Sequence, residues 1–530
     1  MDPILVIGGG PVGLAAAAQL AERGLPFELL EAGDGPGATV RDWGHVRLFS
    51  PWRYNVAPAA QRLLESDGWN LPDPDRLPTG AELIADYLAP LAAHPALVHK
   101  IRYRAPVTAI SRAGYDRVRT VGRERAPFTL RLANGSELLA SAVIDASGTW
   151  CNPNVLGANG LPATGEPELR AALEPAMPDV LGTDRARFAG SHTLVVGGGH
   201  SAATTLLSLA ELAESAPGTR VSWAIRGGGP ERTYGGQDAD ALPGRGALGS
   251  GLRRLVESGA VQLLTGFGVR KVASTPDGRL AVTGGSHGPN NERTVRVDRV
   301  VSATGFRPDH RIADELRLDL DPALGCSRRL AALIDPNLHS CGTVRPHGVD
   351  ELTQPEPNYW IVGSKSYGRA PTFLLATGYE QTRSIVAALA GDWAAARDVH
   401  LDLPETGVCS TTAGARAIAS DAAERLGLAP DIPAKLVTGT MDHYLRAEQD
   451  LDTAVQAAAN DLGIERGVAR QLAVLVSDQL DSMLDGDSGN GDRRDRGDET
   501  SQRPLGPDQG ATPGRALTLS DASTTGGCCG

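Results

Sequence analysis

Twice along this chain a run of branched apolar residues breaks into glycines and resumes as an apolar, alanine-rich segment. The first is Ile4-Leu5-Val6-Ile7-Gly8-Gly9-Gly10-Pro11-Val12-Gly13, followed by Leu14 to Leu20. The second is Thr193-Leu194-Val195-Val196-Gly197-Gly198-Gly199-His200-Ser201-Ala202, followed by Ala203 to Leu212. Each reads as a buried strand, a glycine turn and a helix. A strand that is apolar on both faces needs cover on both, which is the α/β arrangement of a parallel sheet between layers. Two such units in one chain predict two dinucleotides held against each other, and hydride transfer between them is the chemical reason for such a pairing.

The residues of each turn have separate tasks. Gly8 permits the tight turn, Gly10 lets the backbone approach a pyrophosphate, and Gly13 lets the helix pack closely on the strand. Pro11 and Val12 open the helix, whose first N–H groups and positive dipole end face phosphate. Glu31 ends the second strand, about twenty residues beyond the loop, where an acid bonds ribose hydroxyls. The second loop has Gly197, Gly199 and Ala202 in the same register, with His200 and Ser201 between them. Its second strand, Val221 to Arg226, ends in a guanidinium rather than an acid. Arg226 can pair with a 2′-phosphate, which favours NADPH over NADH; a plain surface arginine at a strand end is the alternative. His200 reads as a phosphate or ribose neighbour rather than a base, because no carboxylate is close in sequence.

At 530 residues with 41% hydrophobic content, the chain can fill several cores. A net charge of −12 argues against nucleic acid or an anionic membrane surface as partner. No apolar run reaches the roughly 18 residues of a membrane span. The six cysteines form no disulfide framework in a chain this long, so a reducing cytoplasm is expected.

The expected architecture is two Rossmann-like dinucleotide-binding domains, the first discontinuous and the second inserted into it. Residues 1–157 and 303–402 would form the first domain and residues 188–302 the second. Residues 413–482 are Ala-rich with helical periodicity and read as a small helical appendage. Residues 485–530 lack large apolar residues and read as a disordered tail.

Two further segments, Asp145-Ala146-Ser147-Gly148-Thr149 and Ser302-Ala303-Thr304-Gly305-Phe306-Arg307-Pro308, resemble the paired "ATG" strands of two-dinucleotide-binding flavoproteins. Order and spacing resemble most closely the class B flavin-containing monooxygenases, including bacterial flavoproteins of arsenic-resistance operons. The resemblance implies FAD on the first loop and NADPH on the second. It implies cofactor contacts from Val107, Ala146, Ser147 and Gly148, and from Ala303, Thr304 and Gly305. It also implies a late strand-loop-helix closing over the flavin, with Gly363, Ser364 and a helix beginning near Thr372. The family often has Asp where this chain has Ser364. Its FxGxxxH signature is also missing: Phe188-Ala189-Gly190 is present, but Leu194 stands at the histidine position.

The family's oxygen chemistry resides in the cofactor, so no catalytic side chain is named. Arg345, His347, Lys365 and Arg369 are candidates for lining the site. The reading that results is an FAD- and NADPH-dependent monooxygenase acting on a soft nucleophilic small molecule (sulfur, nitrogen or trivalent arsenic). Cys151, Cys326, Cys341 and Cys409 are isolated from one another in sequence. Cys528-Cys529 ends the tail between glycines, and a vicinal thiol pair can hold arsenite or another soft metal. A reductase of thiols or soft metals using that pair is the second reading, and a flavin-bound redox sensor docking a partner through 413–482 is the third. A homodimer is a further expectation.

Overall fold

The computed structural model describes residues 2–401, apart from 238, 239, 241, 287–290, 337–343, 345 and 372. All of these lie in the first, Met1–Ala473, of two compact units. The expected appendage (413–482) and tail (485–530) lie outside the described residues.

Strands β1 (Ile4–Ile7), β2 (Phe27–Leu30) and β3 (Ile101–Arg102) are parallel neighbours. An antiparallel meander follows, β4 (Val107–Arg112), β5 (Phe128–Leu132) and β6 (Glu137–Ala140). The chain then returns as β7 (Ala142–Asp145), parallel to β1 on its other side. Next come β8 (His192–Val196), β9 (Arg220–Ala224) and β10 (Val261–Leu264), a second set of parallel strands. A second meander, β11 (Gly268–Ser274), β12 (Leu280–Gly285) and β13 (Arg293–Val297), precedes β14 (Arg299–Ser302), which pairs parallel with β8. Strand β15 (Tyr359–Ile361) rejoins the first sheet beside β7. The sheet orders are β15-β7-β1-β2-β3 and β10-β9-β8-β14. In both, the strand that feeds the glycine turn lies between its sequence successor and a late-returning strand, the position at which open α/β sheets bind ligands.

The unbroken apolar runs follow from burial on both faces. In β1, Ile4 and Val6 enter the core beneath the helix Pro11–Glu22, while Leu5 and Ile7 enter the core shared with the first meander. In β8, Val195 faces the helix His200–Ser215, and Leu194 and Val196 face the second meander. Each parallel sheet therefore has helices on one side and a meander on the other, and neither face can alternate with polar residues.

Local exceptions have local causes. The helical segment over Gly80–Ala93 contains a π-helical turn at Ile84–Leu88. Pro90 has no N–H for the carbonyl of Asp86, and Trp69 Nε1 donates to that carbonyl instead, at 2.8 Å. The meander β4–β6 is tied to the segment before β15 by buried charges. Glu356 accepts from Arg112 Nε at 2.8 Å and from Arg123 Nη1 at 2.5 Å, and all three side chains are buried.

The connections entering and leaving the second sheet run side by side. Asn154 N–H donates to Gly305 O at 2.9 Å and Arg307 N–H to Asn152 O at 3.0 Å. The Asn154 side chain bonds Thr304 O and Arg307 Nε. Trp150 stacks on Phe306 with centroids 4.7 Å apart. Among the described residues no helix is long and apolar enough to cross a membrane.

Candidate functional site

Gly8 has φ +102°, and a Cβ there would lie 2.6 Å from the carbonyl oxygen of Ala146 at the end of β7. Only glycine lets the turn pass so close to the neighbouring strand. At Gly10 a Cβ would meet nothing within 4 Å, so this stretch of backbone is open to an approaching group. Gly10 caps the helix Pro11–Glu22 without any side-chain cap, and no acidic residue occupies the first turn. The helix dipole there is left for an anion.

Glu31 directly follows β2 and is held by the loop itself. Its Oε2 accepts from Gly9 N–H at 2.5 Å and its Oε1 from Gly33 N–H at 2.6 Å. A carboxylate has about four acceptor sites, so both oxygens keep lone pairs for two vicinal hydroxyls. Val107 is half-buried in β4, and just before it Ala105 N–H donates to Glu31 O and Arg104 N–H to Gly33 O. Replacing Glu31 with glutamine would set an amide NH₂ against one of the two backbone N–H donors. The affinity of this loop for a dinucleotide is expected to fall about tenfold, roughly 1.4 kcal/mol, in a titration of the apoprotein.

Beneath this loop, at the end of β7, lies a buried charge pair. Asp145 is fully buried and accepts from Lys365 Nζ at 2.7 Å, Tyr359 Oη at 2.9 Å and Ser147 Oγ at 2.6 Å. Burial alone would raise the Asp145 carboxyl, but the Lys365 charge and the hydrogen bonds from Lys365 and Ser147 outweigh it and hold it below the usual range. Lys365 is also buried, and it donates to Ser147 Oγ at 3.0 Å. Ala146 and Gly148 flank Ser147, and Gly148 faces Ser364, whose Oγ lies 3.7 Å from where a Gly148 Cβ would stand. Gly363 donates its N–H to Gln381 Oε1 at 2.9 Å. It sits against Val12 of the first loop.

The second loop repeats the first. Gly197 has φ +136°, and a Cβ there would lie 2.0 Å from the carbonyl oxygen of Ala303, just beyond β14. Gly199 is as open as Gly10 and caps the helix His200–Ser215 without a side chain. Ala202 is fully buried and Ser201 half-buried. Trp223 Nε1 and Thr233 Oγ1 donate to the carbonyls of Gly197 and Gly198 at 2.7 and 3.0 Å, bracing the turn from behind. The His200 ring lies 5.0 Å from the Phe49 ring. Burial pushes its pKa down to about 4; the nearby Arg245 adds to this and Asp240 opposes it. His200 is therefore neutral at pH 7.

Arg226 lies two residues past the end of β9, exposed, with one long hydrogen bond to Ala158 O at 3.4 Å. Thr304 is engaged with Asn154 O at 3.1 Å, and Gly305 has φ +87°. Leu194, standing at the histidine position of the missing signature, is fully buried in β8. The expected helix start at Thr372 lies outside the described residues, and the observed helix is Leu375–Leu389.

Of the lining candidates, Lys365 is buried in its ion pair, His347 is buried with Nε2 3.0 Å from Gln381 Nε2, and Arg369 is exposed. Arg345 lies outside the described residues, as do Cys341, Cys409, Cys528 and Cys529. Cys151 is exposed as a residue, and the partial desolvation of its thiol, with the charges of Asp42 and Glu31, raises its pKa. Cys326 is buried and its thiol is pushed up to about 12. Among the described residues no group of His, Cys, Asp or Glu could hold a metal ion.

Asp145, Lys365 and Gln381 were not singled out as partners by the sequence. One signal was present: an aspartate after Ala142-Val143-Ile144 on an otherwise apolar strand has to find a counter-charge. The partner lies 220 residues away in the chain.

A family model described as pyridine nucleotide-disulphide oxidoreductase matches residues 5–323, more than half of the chain. An indole-3-pyruvate monooxygenase from Oryza sativa subsp. japonica is 30% identical over 209 residues, which are 39% of this chain and 44% of that relative. The match thus spans less than half the length of the plant enzyme. Among solved structures, a bacillithiol disulfide reductase from Bacillus cereus aligns with TM-score 0.51 at 19% identity, covering 74% of this chain and 99% of that one. A cadaverine monooxygenase of desferrioxamine biosynthesis from Erwinia amylovora, solved with FAD, aligns with TM-score 0.50 at 14% identity, covering 74% and 95%. At these identities the two structures establish a shared fold.

Proposed function

The chain belongs to the pyridine nucleotide-disulphide oxidoreductase family, and from that membership we propose an FAD-dependent, NADPH-dependent monooxygenase acting on a small, soft nucleophile. The observation that carries this reading is the pair of open glycine cradles, Gly10 and Gly199, each at the head of an uncapped helix. FAD, when bound, supplies the redox and oxygen chemistry. The chain's own residues bind and orient. The Gly8–Gly13 turn and Glu31 would hold the adenosine and pyrophosphate of FAD. The Gly197–Ala202 turn would hold the pyrophosphate of NADPH.

The two described thiols do not support a relay through themselves, which favours oxygenation over that route. Neither Cys151 nor Cys326 has the lowered pKa of a reactive thiolate, and both are free. The resemblance to an indole-3-pyruvate monooxygenase points the same way. Sulfur, nitrogen and trivalent arsenic centres share the lone pair that accepts an electrophilic oxygen, and they define the proposed substrate class. The reading includes a cytoplasmic location and no nucleic-acid or membrane partner.

The test is NADPH oxidation and oxygen uptake by the purified full-length protein, with and without arsenite, an arylarsenical, a thioether and an amine. Stimulation by one of these, with one oxygenated product per NADPH, is the expected result. NADPH consumption that needs a disulfide instead of oxygen, and that fails in Cys528→Ser and Cys529→Ser, would replace this reading with the reductase. In the same assay Arg226→Ala is expected to raise the KM for NADPH about tenfold and leave that for NADH unchanged.

A further inference from the structure

One segment that follows β2 touches both glycine turns. Its near end is fixed to the first turn by Gly37 N–H, which donates to Gly9 O at 2.9 Å. At its far end the Phe49 ring packs on the His200 ring, with centroids 5.0 Å apart and planes tilted by 43°. His200 opens the helix of the second turn, directly after Gly199. The carbonyl side of Phe49 meets a second helix, Pro243–Glu257. A Cβ at Gly244 would stand 3.0 Å from Phe49 O and 2.9 Å from the Leu77 side chain. Both helices enter the core on one side of the second sheet.

Between its ends the segment is braced along its length. Val40 is buried in the core that also holds Ile4 and Val6 of β1. Gly80 N–H and Ala81 N–H donate to the carbonyls of Val46 and Gly44 at 3.0 and 2.8 Å, and Leu48 N–H donates to Pro78 O at 2.8 Å. Arg47 Nη1 donates to Leu77 O at 2.8 Å. The Trp43 ring fills the space beside Gly80, where a Cβ would stand 2.8 Å from it. Backbone tied and packed this often transmits a position instead of absorbing a shift. The bonds between Asn152–Asn154 and Thr304–Arg307 join the two sheets at one place only. Bodies joined at one place can still turn about it, and a second contact away from it fixes their orientation. The Phe49 contact supplies that second point.

We propose that Gly37–Phe49 is a spacer that sets the distance between the two cradles, and that Phe49 is a positioning residue acting through His200. Hydride transfer needs its reacting atoms within about 3–3.5 Å, and a misplacement of about 1 Å is enough to slow it greatly. The spacer bears on the first turn at Gly9 and on the second at His200, so it fixes how far apart the two turns stand. This inference rests on the reading of the two cradles as FAD and NADPH sites.

The experiment uses full-length protein and separates binding from spacing. Phe49→Ala is expected to slow anaerobic reduction of bound FAD by NADPH about tenfold, while the dissociation constants of FAD and NADP⁺ stay within about twofold of wild type. In a His200→Ala background the same substitution is expected to cost nothing further, since the partner it acts through is gone. Phe49→Leu keeps apolar bulk and recovers part of the rate, and it carries the test should Phe49→Ala fail to fold. A second readout needs no cofactor. NMR of histidine-labelled protein follows the His200 imidazole, which burial holds down at about 4, and loss of the Phe49 ring is expected to move that pKa upward. A wild-type reduction rate in Phe49→Ala, additive losses in the double variant, or a His200 pKa that does not move overturns the spacer. A loss of NADP⁺ affinity as large as the loss of rate makes Phe49 a binding residue and overturns it too. Failure of NADPH to reduce FAD in wild type overturns the cofactor reading, whatever the His200 titration shows.

Discussion

Glu356→Ala is expected to destabilise the fold by about 3–5 kcal/mol, because it strands two buried guanidiniums against each other. Arg112 and Arg123 are both buried, and Glu356 is the carboxylate between them. Their remaining bonds go to backbone carbonyls: Ala126 and Pro357 from Arg112, Asp116 and Glu315 from Arg123. These carbonyls offer dipoles but no charge. Burial by itself would raise the Glu356 carboxyl, yet the Arg317 N–H and the two guanidiniums outweigh it and hold it below its ordinary 4.5. A carboxyl depressed in the folded state adds stability that is fully present above the unfolded value. That stability is lost as pH falls through the lower folded value. Chemical denaturation at pH 7 and at pH 3 checks both parts: the difference between wild type and variant should be large at the first and smaller at the second. A triple variant, Glu356→Leu with Arg112→Met and Arg123→Met, is expected to recover only part of the loss: it removes the stranded charges but leaves the Ala126, Pro357, Asp116 and Glu315 carbonyls without their guanidinium donors.

Gly197→Ala is expected to cut NADPH-driven reduction of bound FAD by about a hundredfold, the scale of a misplaced reacting partner. The added methyl would sit 2.0 Å from the Ala303 carbonyl oxygen, backbone against which nothing can rotate away. The positive φ of Gly197 adds its own strain for any side chain. The turn has to lift off β14, and the open backbone at Gly199 moves with it. Because the first cradle is built from β1 and β7, flavin content should be unchanged. Rapid mixing of FAD-loaded protein with NADPH separates the two effects: unaltered flavin absorbance before mixing, and a slowed bleach after it. A normal bleach rate would mean that the second loop does not deliver the hydride.

The strand, turn and helix of both glycine loops were legible in the sequence because their determinants are local. A strand of β-branched residues, a glycine with no room for Cβ and an uncapped helix lie within about ten consecutive residues. Glu31 was legible for the same reason, sitting one residue beyond β2. What stayed hidden is what distant segments bring together. The Lys365–Asp145 pair, the Phe49 ring against His200 and the Glu356 triad each join residues more than a hundred positions apart. Spacing and periodicity carry no information at that range. The π-helical turn at Ile84–Leu88 was half legible: Pro90 announces a broken hydrogen bond, but the indole of Trp69 that repairs it comes from a different segment.

The clasp between Asn152–Asn154 and Thr304–Pro308 has an architectural consequence. Everything from β8 to β14 is delivered on two strands of chain that are bonded to each other where they leave the first sheet. Its two ends are thus already neighbours, and the gap left by cutting it out at Asn154 and Thr304 spans a single hydrogen bond. In genetic terms the segment between them is an insertion. A change of length between those two points leaves the pairing of β7 with β1 and β15 untouched, because the ends are already joined.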